Sequence, residues 1–146
     1  MKNRNLQHKN DWKTPDWLLQ NVKKEFGEYF DPCPYMHDTD LWDGLYIDWK
    51  DVNFINPPYE RLLKEKFIEK AYAEACKGSL CVMLLPVSTS TKIFHNIILP
   101  FAEIRFIKGR VSFSGYNGKG EYVTKSKGMH DSMFVIYHPF HKVIKG

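Results

Sequence analysis

The chain reads as a single α/β domain built around a largely parallel sheet. Two patterns carry that reading. Helical and strand-like apolar periods alternate in β-α-β-α-β order, and Leu80-Cys81-Val82-Met83-Leu84-Leu85 is apolar throughout, as a strand covered on both faces must be. A third observation says where chemistry would sit. The strand-like run Val52-Asn53-Phe54-Ile55 stops in Asn56-Pro57-Pro58-Tyr59, and ligands of open α/β sheets bind beyond the carboxyl ends of the strands.

Thr14-Pro15 has the form of a helix N-cap with proline at the first helical position. Leu18, Leu19, Val22 and Phe26 then recur at helical spacing, and Gly27 stands where a glycine cap ends a helix. Tyr29-Phe30 is a short strand running into Asp31-Pro32-Cys33-Pro34, and residues 35–50 carry no long periodic pattern. Beyond the proline turn, Leu63, Phe67, Ala71 and Ala75 mark one face of a second helix stopped by Gly78. After the buried strand, Ser88, Thr89 and Ser90 offer caps for a third helix carrying Ile93, Phe94, Ile97 and Ile98 and closed by Pro100. Ile104 to Ile107 and Met133 to Tyr137 read as the remaining strands. The expected boundaries are a basic arm or disordered tail at 1–13, one domain at 14–138 and a C-terminal tail at 139–146.

Composition narrows the class. A chain of 146 residues, 43% of them hydrophobic, supports one sizeable core. No apolar run reaches the length of a membrane span, and Met1-Lys2-Asn3-Arg4 lacks the apolar core of a signal peptide, so no membrane partner is expected. Cys33, Cys76 and Cys81 are odd in number and without paired spacing, as in a reduced, cytoplasmic protein. Cys76 and Cys81 flank a helix-to-strand turn and read as core residues. Cys33 and His37 stand four apart, but Pro34 between them argues against a helix and no second ligand pair is in view, so no metal is expected. A net charge of +4 permits an anionic partner without demanding one.

The proline turn suits an exocyclic amino group on a flat ring. Asn56 Oδ1 and the Pro57 carbonyl can each accept one amine hydrogen, Pro58 fixes the turn, and Tyr59 can stack on the ring face. Adenine N6 is a poor nucleophile because its lone pair is delocalised into the ring. Two acceptors on its hydrogens would shift the nitrogen towards sp³ and free that lone pair for a methyl donor. No strong base is needed, since the nitrogen sheds its proton easily once it is positively charged. His95, next to Phe94, reads accordingly as a helix-surface or core-edge histidine. An ordinary strand end could carry the same four residues. Two further segments on the rim, Asp31-Pro32 and Pro86 to Thr91, favour a site.

Thr14-Pro15, Asp31-Pro32-Cys33, Asp43-Gly44-Leu45 with Trp49, Asn56-Pro57-Pro58-Tyr59, Leu84-Leu85-Pro86, Thr89-x-Thr91, Phe94-His95 and the segment Glu103-Ile104-Arg105-Phe106-Ile107-x-Gly109-Arg110 stand in a characteristic order. Together they resemble the phage-type DNA N6-adenine methyltransferases, the Dam-like family of phages and prophages, over residues 11–137. The resemblance implies S-adenosylmethionine (AdoMet) as donor, double-stranded DNA as partner and methylation of a flipped adenine. It implies a reduced Rossmann-like methyltransferase sheet with flanking helices. It assigns catalysis to Asn56, Pro57, Pro58 and Tyr59, with Tyr59 stacking on the extruded base. It assigns the cofactor to Thr14 and Pro15 at the methionine end, to Asp31, Pro32 and Cys33 as the first motif, and to Asp43 at the adenosine end.

Two departures stand out. A full AdoMet-dependent sheet places two strand-helix units between the first motif and the NPPY strand, and only 17 residues separate Pro34 from Val52. The sheet therefore lacks some of the usual strands. Residues 35–50 build the adenosine pocket from loop, or the cofactor is held weakly. Trp42 and Trp49 either supply aromatic surface there or cover a bare sheet edge. Second, no separate DNA-recognition domain fits. The segment 105–127 sets Arg105, Lys108, Arg110, Lys119, Lys125 and Lys127 against one acid, Glu121, with Tyr116 and Tyr122 interleaved. It reads as a mobile DNA-contacting loop or as a solvated hairpin. The function classes left open are an adenine methyltransferase, a weak or inactive DNA-binding relative of that fold, and an amino-methyltransferase acting on RNA or protein.

Overall fold

The computed structural model of the chain describes residues 12–35, 43–116, 119–127 and 130–140, the last three residues of the 119–127 stretch by their backbone alone. In chain order the elements are β1 (Trp12–Lys13), α1 (Asp16–Phe26), β2 (Val52–Ile55), α2 (Arg61–Cys76), β3 (Leu80–Pro86), a wide π-type turn (Phe94–Ile98), β4 (Glu103–Phe106), β5 (Ser112–Tyr116), β6 (Tyr122–Lys127) and β7 (Ser132–Tyr137).

The central sheet has the order β2-β3-β7-β4. β2 and β3 run parallel, with Ile55 opposite Met83. Phe30 extends this edge by a parallel bridge to Asn53: Phe30 N donates to Val52 O at 2.9 Å and Phe54 N to Phe30 O at 3.0 Å. β7 is antiparallel to both β3 and β4. The expected largely parallel sheet is thus corrected to a mixed one. The chain leaves β4 through a hairpin rather than a crossover helix, and an antiparallel return needs no crossover.

That hairpin, β5 and β6, joins β1 in a separate antiparallel sheet of order β1-β5-β6. Trp12 lies opposite Gly115 and Lys13 opposite Ser114. The basic segment 105–127 is therefore largely β-structure. Serines, a glycine and lysines hide its period-two pattern, in which Phe113 and Gly115 point inward. β1 also draws Trp12 and Lys13 out of the expected arm and into the fold. The start of the expected C-terminal tail is likewise packed, with Phe140 5.6 Å from Tyr72 and 6.2 Å from Tyr137 between ring centroids.

The central sheet is covered on both faces. Leu18 and Val22 of α1 pack with Phe54, Val82, Leu84 and Ile136, joined by Val111 and Phe113. The alternate residues Ile55, Met83, Leu85, Val135 and Tyr137 meet Phe67, Ile68, Ala71 and Ala75 of α2. β3 is buried from Cys81 to Leu85, which is what its unbroken apolar run requires.

Three local expectations are corrected. Thr14 does not cap α1. Pro15 takes that position without a side-chain cap bond, and the Thr14 hydroxyl turns to Asn56 instead. The third helix is present at its expected place but is short and π-wound, with Leu99 N donating to Phe94 O at 2.7 Å. Thr91, not the expected Ser88, Thr89 or Ser90, supplies the side-chain bond at its start, its Oγ1 accepting from Phe94 N at 3.3 Å. Cys76 is exposed, because the buried stripe of α2 runs through Ala71, Glu74 and Ala75 and misses it, whereas Cys81 is fully buried. α1 ends at Gly27 with φ 85°, as its sequence requires. No helix of the described residues is long and apolar enough to cross a membrane.

Candidate active site at the sheet rim

Asn56 follows the last residue of β2, between β3 on one side and the Phe30 bridge on the other. Its amide is held by two bonds from the far end of the sequence. Nδ2 donates to the Trp12 carbonyl at 2.8 Å and to Thr14 Oγ1 at 2.9 Å. A carbonyl can only accept, so the nitrogen of the amide must face Trp12 and the oxygen must point away. That oxygen, Oδ1, is buried and has no hydrogen-bond partner among the described residues. Leaving such an acceptor unmet costs about 1–3 kcal/mol. A buried acceptor held in fixed orientation, with its other bonds already made, is a site waiting for a donor.

The rest of the turn is packed around this amide. Pro57 is buried and Pro58 half-buried. The Tyr59 ring meets Phe113 of β5 edge-on, 6.1 Å between centroids at 81°. Burial pushes its phenol up to about 12, so the hydroxyl stays neutral at physiological pH. Glu60 closes the motif by capping α2: its carboxylate accepts from Leu62 N at 3.1 Å and Leu63 N at 2.8 Å. These bonds hold its pKa below the usual carboxylate value.

The first rim segment lies beside the turn. Phe30 opposite Asn53 brings Asp31 to the level of Phe54, roughly one strand spacing of 4.8 Å away. Asp31 Oδ1 accepts from Cys33 N at 2.8 Å, which folds Asp31-Pro32-Cys33 into an Asx turn with Pro32 and Cys33 buried. Behind it stands Gly44. A Cβ there would lie 2.0 Å from the Pro32 carbonyl oxygen, so only glycine fits. Asp43 Oδ1 accepts from Leu45 N at 3.0 Å, which ties one carboxylate oxygen to its own turn. Gly44 O accepts from Trp49 Nε1 at 2.8 Å. Trp49 stacks on Phe67 of α2 and is only 7% exposed. Trp49 is therefore a brace beneath the rim rather than an open aromatic surface. Trp42 and His37 lie outside the described residues.

The expected DNA contacts are dispersed. Arg105 is at the opposite end of α1, about 16 Å along the helix from Thr14. There Nη1 donates to both oxygens of Glu25 at 2.7 Å and Nε to Glu103 Oε2 at 2.6 Å. Lys108 is exposed in the turn after β4, and Arg110 lies 3.5 Å from Asp131. Lys119 sits at the hairpin tip, where Tyr116 and Tyr122 pair with each other across the strands at 5.3 Å. Lys125 and Lys127 belong to β6, and their side chains lie outside the described atoms. His95 is exposed, with Nε2 2.7 Å from the Thr89 carbonyl.

Several of these residues were not legible in the sequence. The Trp12 carbonyl is a backbone group and leaves no signal. Phe113 sits in a strand that the pattern did not reveal. Glu60 had a cue, since it stands just before the apolar period of α2.

The fold and its rim thus define an α/β protein with a polar proline turn at the carboxyl end of a parallel strand, flanked by a second motif on the neighbouring bridge. The chain belongs to the DNA N-6-adenine-methyltransferase (Dam) family, whose sequence model matches residues 2–145, nearly the whole chain. Searches of curated proteins and of solved structures each returned no match.

Proposed function

We propose that this protein transfers a methyl group from AdoMet to N6 of adenine in double-stranded DNA, on a reduced Rossmann-like methyltransferase sheet. Family membership makes DNA adenine methylation the expected chemistry. The observation that carries the reading to this chain is the orphaned, oriented Asn56 Oδ1. An amine hydrogen is the donor it lacks, and the neighbouring Pro57 carbonyl offers the second acceptor.

The residues present suit the methionine end of AdoMet. Thr14 accepts from Asn56 through its oxygen and keeps its own O–H to donate to a carboxylate. Asp31 stands on the adjoining segment as an acceptor for an ammonium group. When bound, AdoMet supplies an electrophilic methyl. Asn56 orients and polarises the amine, the Pro57 carbonyl takes its second hydrogen, and Pro58 holds the two acceptors at fixed spacing. Tyr59 gives a neutral aromatic face for the extruded base. Thr14 and the Trp12 carbonyl act one step back, as positioning groups for the Asn56 amide. The buried state of Oδ1 means that the surrounding shell opens when the base enters.

Titration calorimetry tests the reading. The protein should bind AdoMet and its demethylated product, and Asn56→Ala should retain that binding while losing transfer. Absence of heat and of thermal shift at millimolar AdoMet, with DNA present, would remove the methyltransferase assignment.

A further inference from the structure

The third rim segment, Pro86 to Thr91, takes no part in the site described above, yet it borders a pocket of about 240 Å³. The pocket opens at the carboxyl end of β3, between the first turn of α2 and the π-type turn. Leu85 and Phe94 contribute to its apolar floor, and Arg61, Lys64 and His130 to its wall. Among the described residues, Glu65 is the single acid of the lining. Of the carboxylates nearby, Glu60 is engaged with the backbone of α2 and Asp131 lies 3.5 Å from Arg110.

Lys64 is the informative residue. Its side chain is half-buried, and its ammonium makes no hydrogen bond or ion pair among the described residues. Burial lowers its pKa, opposed by the carboxylates of Glu65 and Glu60. Arg61, two residues beyond Tyr59, is exposed beside it. Ile55 stands opposite Met83 in the parallel register, so the turn at Asn56 and the pocket mouth at Pro86 belong to neighbouring strands on one rim. Asn56 is bonded to Trp12 and Thr14 just ahead of α1, and the pocket is lined by Arg61, Lys64 and Ile68 of α2. A nucleic acid laid across the rim would touch both.

We propose that this pocket takes a DNA phosphate next to the target nucleotide, held by Arg61 and Lys64, with the apolar floor receiving the adjoining sugar. This rests on the adenine-methyltransferase reading. It moves the main electrostatic contact from the basic hairpin to the start of α2. Two cations within one helical turn match a single anionic group flanked by apolar surface, which is the chemistry of a nucleotide backbone.

The test measures binding of a fluorescent adenine-containing duplex against salt, for the full chain and for Arg61→Gln/Lys64→Gln. Arg61 is exposed and Lys64 half-buried at the rim of the pocket, and glutamine keeps much of each side chain, so the variant should fold, as a thermal melt checks; Lys24→Gln on the exposed face of α1 is the control. The double variant should bind about tenfold more weakly at moderate salt. Its log–log salt slope should fall by roughly 0.9 for each phosphate no longer neutralised. AdoMet affinity and sequence preference should be unchanged, and Lys64→Arg should restore most of the slope. If wild-type protein methylates DNA and the double variant keeps the full slope, the pocket assignment is wrong and the methyltransferase reading stands. If wild-type protein neither binds nor methylates DNA, both fall. If millimolar dAMP stabilises wild-type protein but not the double variant, while the DNA slope is unchanged, the pocket serves free nucleotides and the DNA assignment is overturned.

Discussion

Replacing Thr14 by valine tests whether the N-terminal strand orients the reacting amide. Valine keeps the branched shape and removes the hydroxyl that accepts from Asn56 Nδ2 at 2.9 Å. The Trp12 carbonyl, at 2.8 Å, still marks the nitrogen side of the amide. One buried N–H is then left unmet, a loss of about 1–3 kcal/mol. With one of its two bonds gone, the amide is held less firmly against a flip about Cβ–Cγ, and the orphaned Oδ1 is less well aimed. If that loss falls on the transition state, turnover drops about 5- to 140-fold at roughly 1.4 kcal/mol per decade. The assay is steady-state transfer of labelled methyl to DNA, with KM for each substrate and a thermal melt alongside. The expected pattern is a fall in kcat, nearly unchanged KM for DNA, and recovery in Thr14→Ser. Wild-type kcat in Thr14→Val with a large rise in KM for AdoMet would refute the orienting role and leave Thr14 as a cofactor contact alone.

Three further outcomes follow from the same geometry. Tyr59→Phe should retain most activity and Tyr59→Ala should lose it through lost stacking, as read in steady-state rates; equal damage from both would assign the role to the hydroxyl. Gly44→Ala sets a Cβ 2.0 Å from the Pro32 carbonyl oxygen, so denaturant melts should show about 1–3 kcal/mol of destabilisation with weakened AdoMet binding, and wild-type stability would show that the Asp31-Pro32-Cys33 turn is not braced there. Burial pushes the Cys81 thiol from 9.0 up to about 12, above its unfolded value, so its contribution is full below about pH 9 and is lost as pH rises towards 12. At about 1.4 kcal/mol per pH unit that is on the order of 4 kcal/mol. Cys81→Ala should therefore show a flatter alkaline limb in denaturant melts, and an identical limb would contradict the assignment.

The parts of the fold that sequence made legible are those where burial and periodicity agree. The unbroken apolar run of β3, the stripe of α2 through Phe67 and Ala71, and the glycine stop of α1 are all single-element signals. What stayed hidden depends on pairing between distant segments. β1 is two residues long and exists only because β5 is there to receive it. β5 in turn was masked by serines and a glycine at positions whose partners the local pattern cannot show. The same limit applies at the site. The NPPY turn could be read as chemistry from residue type alone, but the device that orients Asn56 joins residues 42 and 44 positions apart. Thr14 looked like a helix cap because Thr-Pro before an apolar period usually is one. Its hydroxyl had a stronger use across the rim. Trp49 looked equally able to line a pocket or cover an edge, and only its stack on Phe67 decided the matter.

The central claim is tested most directly by the product. Unmethylated DNA is incubated with the protein and methyl-labelled AdoMet, digested to nucleosides and separated by mass. N6-methyldeoxyadenosine should carry the label with wild-type protein. With Asn56→Ala, still folded by circular dichroism, it should fall by about a hundredfold or more, as loss of one positioned transition-state hydrogen bond requires. Label on another base, on RNA or on protein, or equal product from Asn56→Ala, would contradict the assignment of Asn56 Oδ1 as the acceptor of the adenine amine.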